Sequence, residues 1–254
     1  MNVLLDALAV LCALAILTWG LSLWRRNVAI VDILWPWLFI AAACIYARHT
    51  AAAGPRGPLV LALVGIWGVR LSAHLAWRNW GQPEDRRYQA IRARNQPNFE
   101  FKSLYLVFLL QALLAWIVSW PLWGAMAGSG ALGPLDAAGA ALWLLGMVFE
   151  AGGDWQLSRF NADPAHRGAV MDQGLWRYTR HPNYFGDFCV WWGLYLLALS
   201  AGAGWSVLGP LLMSVLLMRV SGVTLLERDI GERRPGYAEY VRRTPAFFPR
   251  PPRP

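Results

Sequence analysis

"VLLDALAVLCALAILTWGLSLWRR", residues 3–26, is an apolar run of about 22 residues closed by an arginine pair. At a rise of about 1.5 Å per residue, a helix of this length covers the roughly 30 Å hydrocarbon core of a bilayer. A cleaved leader carries its basic residues before a shorter apolar core. Here Arg25 and Arg26 follow the run, which therefore reads as a retained membrane helix. The rest of the 254-residue chain has the same character, with 57% hydrophobic and 15% charged residues and a mean hydropathy of +0.35. Soluble domains average roughly 45–50% apolar and about 25% charged. An ordinary soluble domain and a disordered chain are both excluded. The 16 Trp residues suit bilayer interfaces and apolar cavities.

Six further apolar runs follow at 27–47, 58–78, 103–124, 134–155, 184–203 and 205–226. The reading is an all-α integral membrane protein of seven transmembrane helices, the second kinked at Pro36. With Arg78 counted at the inner end of the third run, all but Arg48, Arg56, Arg70 and Arg219 of the 23 Lys and Arg residues fall in the first, third and fifth loops and the tail. Basic loops stay on the cytoplasmic side, so the N-terminus is outside and the C-terminus cytoplasmic. Much of the net charge of +8 is thus topology and calls for no nucleic-acid partner. The three cysteines each sit in an apolar run, which fits neither a disulfide framework nor a metal cluster.

The loops differ in kind. The outer loop "WGAMAGSGALG" is small and apolar, and its Gly128, Gly130 and Gly133 formally match G-x-G-x-x-G. That fingerprint needs a preceding strand and an acidic residue about 20 positions on. Here it follows a membrane helix and reads as a flexible loop. The inner third and fifth loops and the tail are dense in Arg, Asp, Tyr and Asn, so chemistry belongs on the cytoplasmic side.

An ionisable group inside a bilayer costs roughly 2.5–3.5 kcal/mol, so it faces a partner or a watery cavity. Asp32 enters the second run, while Arg70, His74 and Arg78 form one stripe on the third. Asp32 is expected to pair with Arg70 or His74, either as a helix-packing ion pair or at the floor of a pocket. In the third loop Glu84, Asp85, Arg86 and Arg87 read as a mostly self-neutralising face, with Arg87 and Tyr88 the residues best suited to touch a ligand. Glu150 and Asp154 repel at i, i+4, so at least one needs a dedicated donor. Asp154 suits a ribose hydroxyl or helix termination.

The densest stretch is "GLWRYTRHPNYFGDF", residues 174–188. Arg177, Arg180 and His181 supply donors, Tyr178 and Tyr184 supply ring faces, and Asn183 supplies an amide with Asp187 one turn on. Pro182 starts a helix whose N-terminal N–H groups suit a phosphate. In the tail, Glu227 and Arg228 lie at the membrane edge, and Tyr237 and Tyr240 share a helical face. That tail reads either as part of the site or as a basic segment lying on anionic lipid.

The "RYTRHPNYFGDF" loop, the "EDRRYQ" element and the "LLERDIGERRPGYAEYVRRTPAFFP" tail resemble bacterial members, of the DUF1295 type, of the steroid 5-alpha-reductase family. The likeness covers nearly the whole chain. "RHPxY" segments alone also occur in isoprenylcysteine carboxyl methyltransferases and sterol reductases. The resemblance implies NADPH-dependent reduction of an activated C=C bond, typically in a 3-oxo-Δ4 steroid. It implies one membrane domain over 1–254, with the lipid substrate among the first four helices (about 3–124) and the cofactor on the last three with their loops and tail (about 134–254). The cofactor set is then Arg87, Tyr88, Asp154, Arg177, Tyr178, Arg180, His181, Asn183, Tyr184, Asp187, Glu227, Arg228, Tyr237 and Tyr240. Asp32 falls where the family places a carboxylate, usually Glu. Eukaryotic members also use a Tyr directly after a His on the third span; here the pair reads His74–Leu75. That leaves His74 or a nearby Tyr as donor, and Asp32 and His74 as the expected catalytic pair.

The expected protein is a monomer in the cell membrane (the inner one in a bacterium), surrounded by lipid. Its site opens to the cytoplasm and takes a hydrophobic small molecule. Two alternatives are an S-adenosylmethionine-dependent membrane methyltransferase and a non-catalytic sterol- or lipid-binding membrane protein.

Overall fold

The computed structural model describes residues 2–50, 54–220, 227, 234 and 236–252, and among them there is no strand. In chain order the helices are α1 (Val3–Arg25), α2 (Ile30–Thr50), α3 (Arg56–Asn79), α4 (Arg86–Arg94) and α5 (Phe99–Met126). They are followed by α6 (Pro134–Ala162), α7 (Pro182–Ser200), α8 (Gly204–Val220) and α9 (Tyr237–Arg243). Five of them (α1, α2, α3, α5 and α6) are long and apolar enough to cross a membrane. The expected sixth and seventh runs coincide with α7, of 19 residues, and with the shorter apolar α8. Residues 221–226, which close the seventh run, lie outside the described residues. Leu17, Ile66, Leu144 and Val148 are each more than half exposed, as lipid-facing side chains are.

Helix ends follow local chemistry. Asn2 caps α1 by accepting from the Leu4 N–H at 3.1 Å, and Arg26 closes it in the left-handed region at φ 50°. α2 runs through Pro36 without a break. Pro134 opens α6, whose Asp136 carboxylate accepts from the Gly133 N–H at 2.8 Å. Pro182 opens α7 as its sequence position dictates.

The chain divides into two compact units, the first Met1–Leu132 with Ala198–Ser206 and the second Gly133–Leu197 with Val207–Pro254. In the first, α1, α2, α3 and α5 bury Leu38, Phe39, Tyr46, Trp67 and Phe108. The Tyr46 phenol is satisfied by Ser119 Oγ at 2.9 Å. The glycine loop before α6 begins in this unit, and Arg56 pins it: the buried guanidinium donates to Gly130 O at 3.0 Å and Ala131 O at 2.8 Å. It is a loop without a preceding strand, as expected, but one held by a cation.

In the second unit α6 and α7 meet through glycine. Gly139, Gly146 and Gly153 recur every seven residues on α6, as do Gly186 and Gly193 on α7. A Cβ at Gly186 would stand 2.4 Å from Glu150 N and 2.5 Å from Gly146 O, and one at Gly193 would stand 2.6 Å from Gly139 O. Only residues lacking a side chain allow backbones to approach this closely. The seam ends at Gly153, where a Cβ would lie 3.2 Å from Asn183 N. It thus sets the first turn of α7 against the α6 turn that carries Asp154.

Candidate functional site

In the first unit Asp85 caps α4, its Oδ1 accepting from the Arg87 N–H at 2.9 Å. The cap aims the first turn of α4 at the first turn of α2. Arg87 Nη2 then donates to Asp32 Oδ2 at 2.8 Å, and the Tyr88 hydroxyl donates to Asp32 Oδ1 at 2.6 Å. Gln111 Nε2, from α5, donates to the same phenol oxygen at 3.3 Å. Asp32 is therefore paired with Arg87 and Tyr88, and not with Arg70 or His74 as chain proximity led us to expect. The return of α4 onto α2 supplies closer donors. His74 sits on α3 with its ring 6.2 Å from that of Trp77.

Glu84 anchors the approach to α4. It accepts from the Val28 N–H at 2.8 Å and from Arg92 Nε at 2.9 Å. Burial would raise the Glu84 and Asp85 carboxyls, but Arg92 and the Val28 N–H lower the first, and Arg87 lowers the second. Burial and the charge on Asp32 hold the Tyr88 phenol well above its ordinary range. Tyr88 thus keeps its proton as a donor, while Arg87 stays cationic against Asp32 and Asp85.

The second unit carries a denser arrangement. The segment after the short 3-10 turn Gly174–Arg177 pairs with the tail through two backbone bonds, Arg180 N–H to Pro245 O at 2.9 Å and Arg250 N–H to Tyr178 O at 3.0 Å. Between them the Thr179 hydroxyl donates to Phe247 O at 2.8 Å. Buried Arg180 fills the fold so made: Nη1 donates to Thr244 O at 2.6 Å, and Nε and Nη2 grip Glu227 bidentately at 2.8 and 2.9 Å. His181 Nε2 lies 2.9 Å from Glu227 Oε1, and the Tyr237 hydroxyl donates to the same oxygen at 3.2 Å. Burial would raise the Glu227 carboxyl, but hydrogen bonds from His181 and Arg180 and their charges hold it at about 2. Tyr237, pushed up by burial and then by Glu227, stays a phenol.

The remaining sequence-assigned residues fall into three sets. Asn183 Nδ2 donates to Asp154 Oδ1 at 3.1 Å, the dedicated donor that the Glu150–Asp154 repulsion called for. The Tyr184 ring stacks on His181 with centroids 5.6 Å apart, and Asp187 is buried one turn further on. Tyr240 is buried with its hydroxyl on Trp176 O, while Arg177 and Tyr178 remain exposed. Arg228 lies outside the described residues.

Sequence reasoning missed the role of Gln111, which nothing but the fold brings to Tyr88. It also missed the seven-residue glycine period. A third omission is a cavity of about 270 Å³ at the C-terminal end of α6, lined by Asn161, Asp163, His166, Arg167, Gly168 and Arg234 among others.

A family model described as a protein of unknown function, DUF1295, matches residues 18–244. A Schizosaccharomyces pombe protein, named uncharacterized protein C594.04c, is 24% identical over 264 residues that cover 91% of this chain and 75% of the yeast protein. No solved structure matches the chain.

Proposed function

The chain belongs to the DUF1295 family, and from that premise we propose that it is a membrane reductase of the steroid 5-alpha-reductase kind. It spans the bilayer seven times with its N-terminus outside and its basic loops and tail in the cytoplasm. Its reaction is the NADPH-dependent saturation of a C=C bond conjugated to a carbonyl in a hydrophobic, steroid-like enone. One observation carries this reading: a carboxylate and a phenol, Asp32 and Tyr88, share a 2.6 Å hydrogen bond at the membrane edge. That pair sets a protonated donor beside a carboxylate, the arrangement that polarising a substrate carbonyl calls for.

The residues fit a nucleotide on two counts. The Asp154 carboxylate and Asn183 amide sit together at the N-terminus of α7, and Arg177 and Tyr178 are exposed just before it. Asp154 and Asn183 would hold a ribose hydroxyl and an amide, and Arg177 and Tyr178 would hold phosphate and ring. Arg180, His181, Glu227 and Tyr237 occupy one another and would shape the wall around that site. When bound, NADPH supplies a hydride to the β-carbon of an enone.

The remaining chemistry belongs to the chain. As negative charge grows on the substrate carbonyl oxygen, the Tyr88 hydroxyl turns from Asp32 and donates a hydrogen bond to it, and the resulting enolate takes the second hydrogen at its α-carbon as a proton from water. Arg87 keeps Asp32 paired while the phenol is engaged elsewhere, so no buried charge is stranded. Gln111, donating to the phenol oxygen, orients the ring hydroxyl. His74 is the competing donor, and substitution separates the two.

The test is NADPH oxidation by detergent-purified protein over a panel of 3-oxo-Δ4 enones, with Asp32→Ala, Tyr88→Phe and His74→Ala beside the parent. Turnover that falls with Asp32→Ala and Tyr88→Phe but survives His74→Ala supports the assignment. Full turnover by Asp32→Ala would sink it.

A further inference from the structure

We propose that the tail segment 244–252 lies in the cytoplasmic edge of the bilayer, with Phe248 among acyl chains and Arg250 on the headgroup of an anionic phospholipid. The inference rests on the seven-span reading, in which α7 crosses the membrane, and is independent of the reductase chemistry. Phe247 and Phe248 pack edge-on against the first turns of α7. The Phe247 ring lies 6.2 Å from that of Phe185 and 5.6 Å from that of Phe188, and the Phe248 ring lies 6.2 and 5.7 Å from the same two. Phe188 is four residues into the apolar run that begins at 184, about 6 Å along the helix. A ring packed on Phe188 sits near that depth. Phe247 is buried there, but Phe248 is 58% exposed. At the depth of the hydrocarbon, the surroundings of an exposed ring are lipid.

Irregular backbone is costly at such a depth unless protein satisfies its polar groups. The tail meets this condition. Four of the nine residues in 244–252 are prolines and bring no N–H. The carbonyls of the four residues before Phe248 all accept from the loop that precedes α7. Thr244 O takes Arg180 Nη1 and Pro245 O takes the Arg180 N–H, while Ala246 O and Phe247 O share the Thr179 hydroxyl at 3.3 and 2.8 Å. The Arg250 N–H donates in turn to Tyr178 O. The backbone is thus largely withdrawn from water, and Phe248 is the side chain it turns outward.

Charge selects the kind of lipid. Arg242 and Arg243, which close α9, face Glu239 and Asp172. Arg250 is exposed two residues after Phe248, with its backbone fixed to Tyr178. A guanidinium beside an aromatic ring at a membrane edge places its fork at the level of phosphate oxygens. Anionic headgroups of the cytoplasmic leaflet attract such a cation.

The test is photocrosslinking. The full-length protein with p-benzoylphenylalanine in place of Phe248 is reconstituted in nanodiscs of phosphatidylcholine and phosphatidylglycerol, irradiated, and its adducts are weighed by mass spectrometry. The ring is exposed, so the larger side chain needs no repacking, and the melting temperature is compared with that of the parent. The same photoreactive residue in place of Glu239 marks the aqueous side, and in place of Leu199, exposed near the far end of α7, it marks the bilayer. The expected result is about tenfold or more lipid adduct at 248 than at 239. Phosphatidylglycerol should exceed its share of the mixture in that adduct, and Arg250→Ala should abolish the excess. Lipid adducts at 199 but not at 248 would overturn the proposal and keep α7 as a span. Lipid adducts at neither position would remove the span and the tail contact together. A protein adduct at 248 that joins two copies of the chain would overturn the proposal by giving the ring to a second copy. Adducts in proportion to the mixture, indifferent to Arg250→Ala, would overturn the headgroup contact.

Discussion

Asp32 and Glu227 are both carboxylates gripped by an arginine near the end of an apolar run, yet their surroundings assign them different work. Glu227 is saturated: Arg180 takes both oxygens, and His181 and Tyr237 crowd onto one of them. Arg180 then continues into the tail through Thr244 O. Among the described residues Asp32 receives one guanidinium N–H and one phenol, and that phenol keeps its proton. The first arrangement fastens the tail to the loop before α7. The second leaves a donor that can change partner. A strongly held ion cluster is therefore not by itself a sign of chemistry; what matters is whether a proton in it is free to move.

The largest expected effect comes from breaking the fastening. Arg180→Ala strands Glu227 and frees two carbonyls of the tail, at a cost of about 3–5 kcal/mol. Thermal melting in detergent and limited proteolysis of the tail should both report it. An unchanged melting temperature would remove the distinction drawn between the clusters.

Acid should act through the same residue. The Glu227 carboxyl is held at about 2 in the folded protein, below its ordinary value of 4.5. A depressed folded pKa means stability that is complete above the unfolded value and lost as pH falls from about 4.5 towards 2. Solvent screening of this half-buried carboxylate leaves about 1–2 kcal/mol of that shift as stability. Melting curves across this interval should steepen in the parent and flatten in Glu227→Gln. A flat parent profile would contradict the ion cluster.

Tyr88→Phe sharpens the comparison from the other side. It removes one hydroxyl and leaves Arg87 on Asp32, so stability should fall by only about 1 kcal/mol. Enone turnover should fall by about 10²-fold or more. A variant that loses stability but keeps turnover would make Tyr88 a second fastening. A stability loss no larger, about 1 kcal/mol, is expected for Asn183→Ala, which forfeits the bond to Asp154 and shows its main effect in weakened nucleotide binding.

The sequence was most informative where a single helix decides the matter. The apolar runs locate α1 to α3, α5 and α7 to within a few residues and the start of α8, α6 runs on to Ala162 beyond the expected end at 155, and Pro182 starts α7 because proline suits a first helical turn. The "RYTRHPNY" loop and the tail, singled out together by residue type, are paired through Arg180 and Glu227. What stayed hidden depends on distance along the chain. Asp32 and Arg87 are separated by 55 positions, and only the Asp85 cap turns α4 so that they meet. Neighbouring spans made Arg70 and His74 the obvious partners, because composition says nothing about which way a loop folds back. The Gly139–Gly146–Gly153 period was visible but carries no charge, and its meaning appears only with Gly186 opposite. The polar loop after α6 gave no pattern from which its cavity could be read.

The most direct test of the central claim is a fluorescence titration of NADPH onto the detergent-purified protein, with NADH and S-adenosylmethionine in parallel and Asn183→Ala as the control. The account predicts saturable NADPH binding that weakens sharply in Asn183→Ala, and no response to S-adenosylmethionine. Silence towards NADPH with saturable S-adenosylmethionine binding would contradict it and make the protein a methyltransferase.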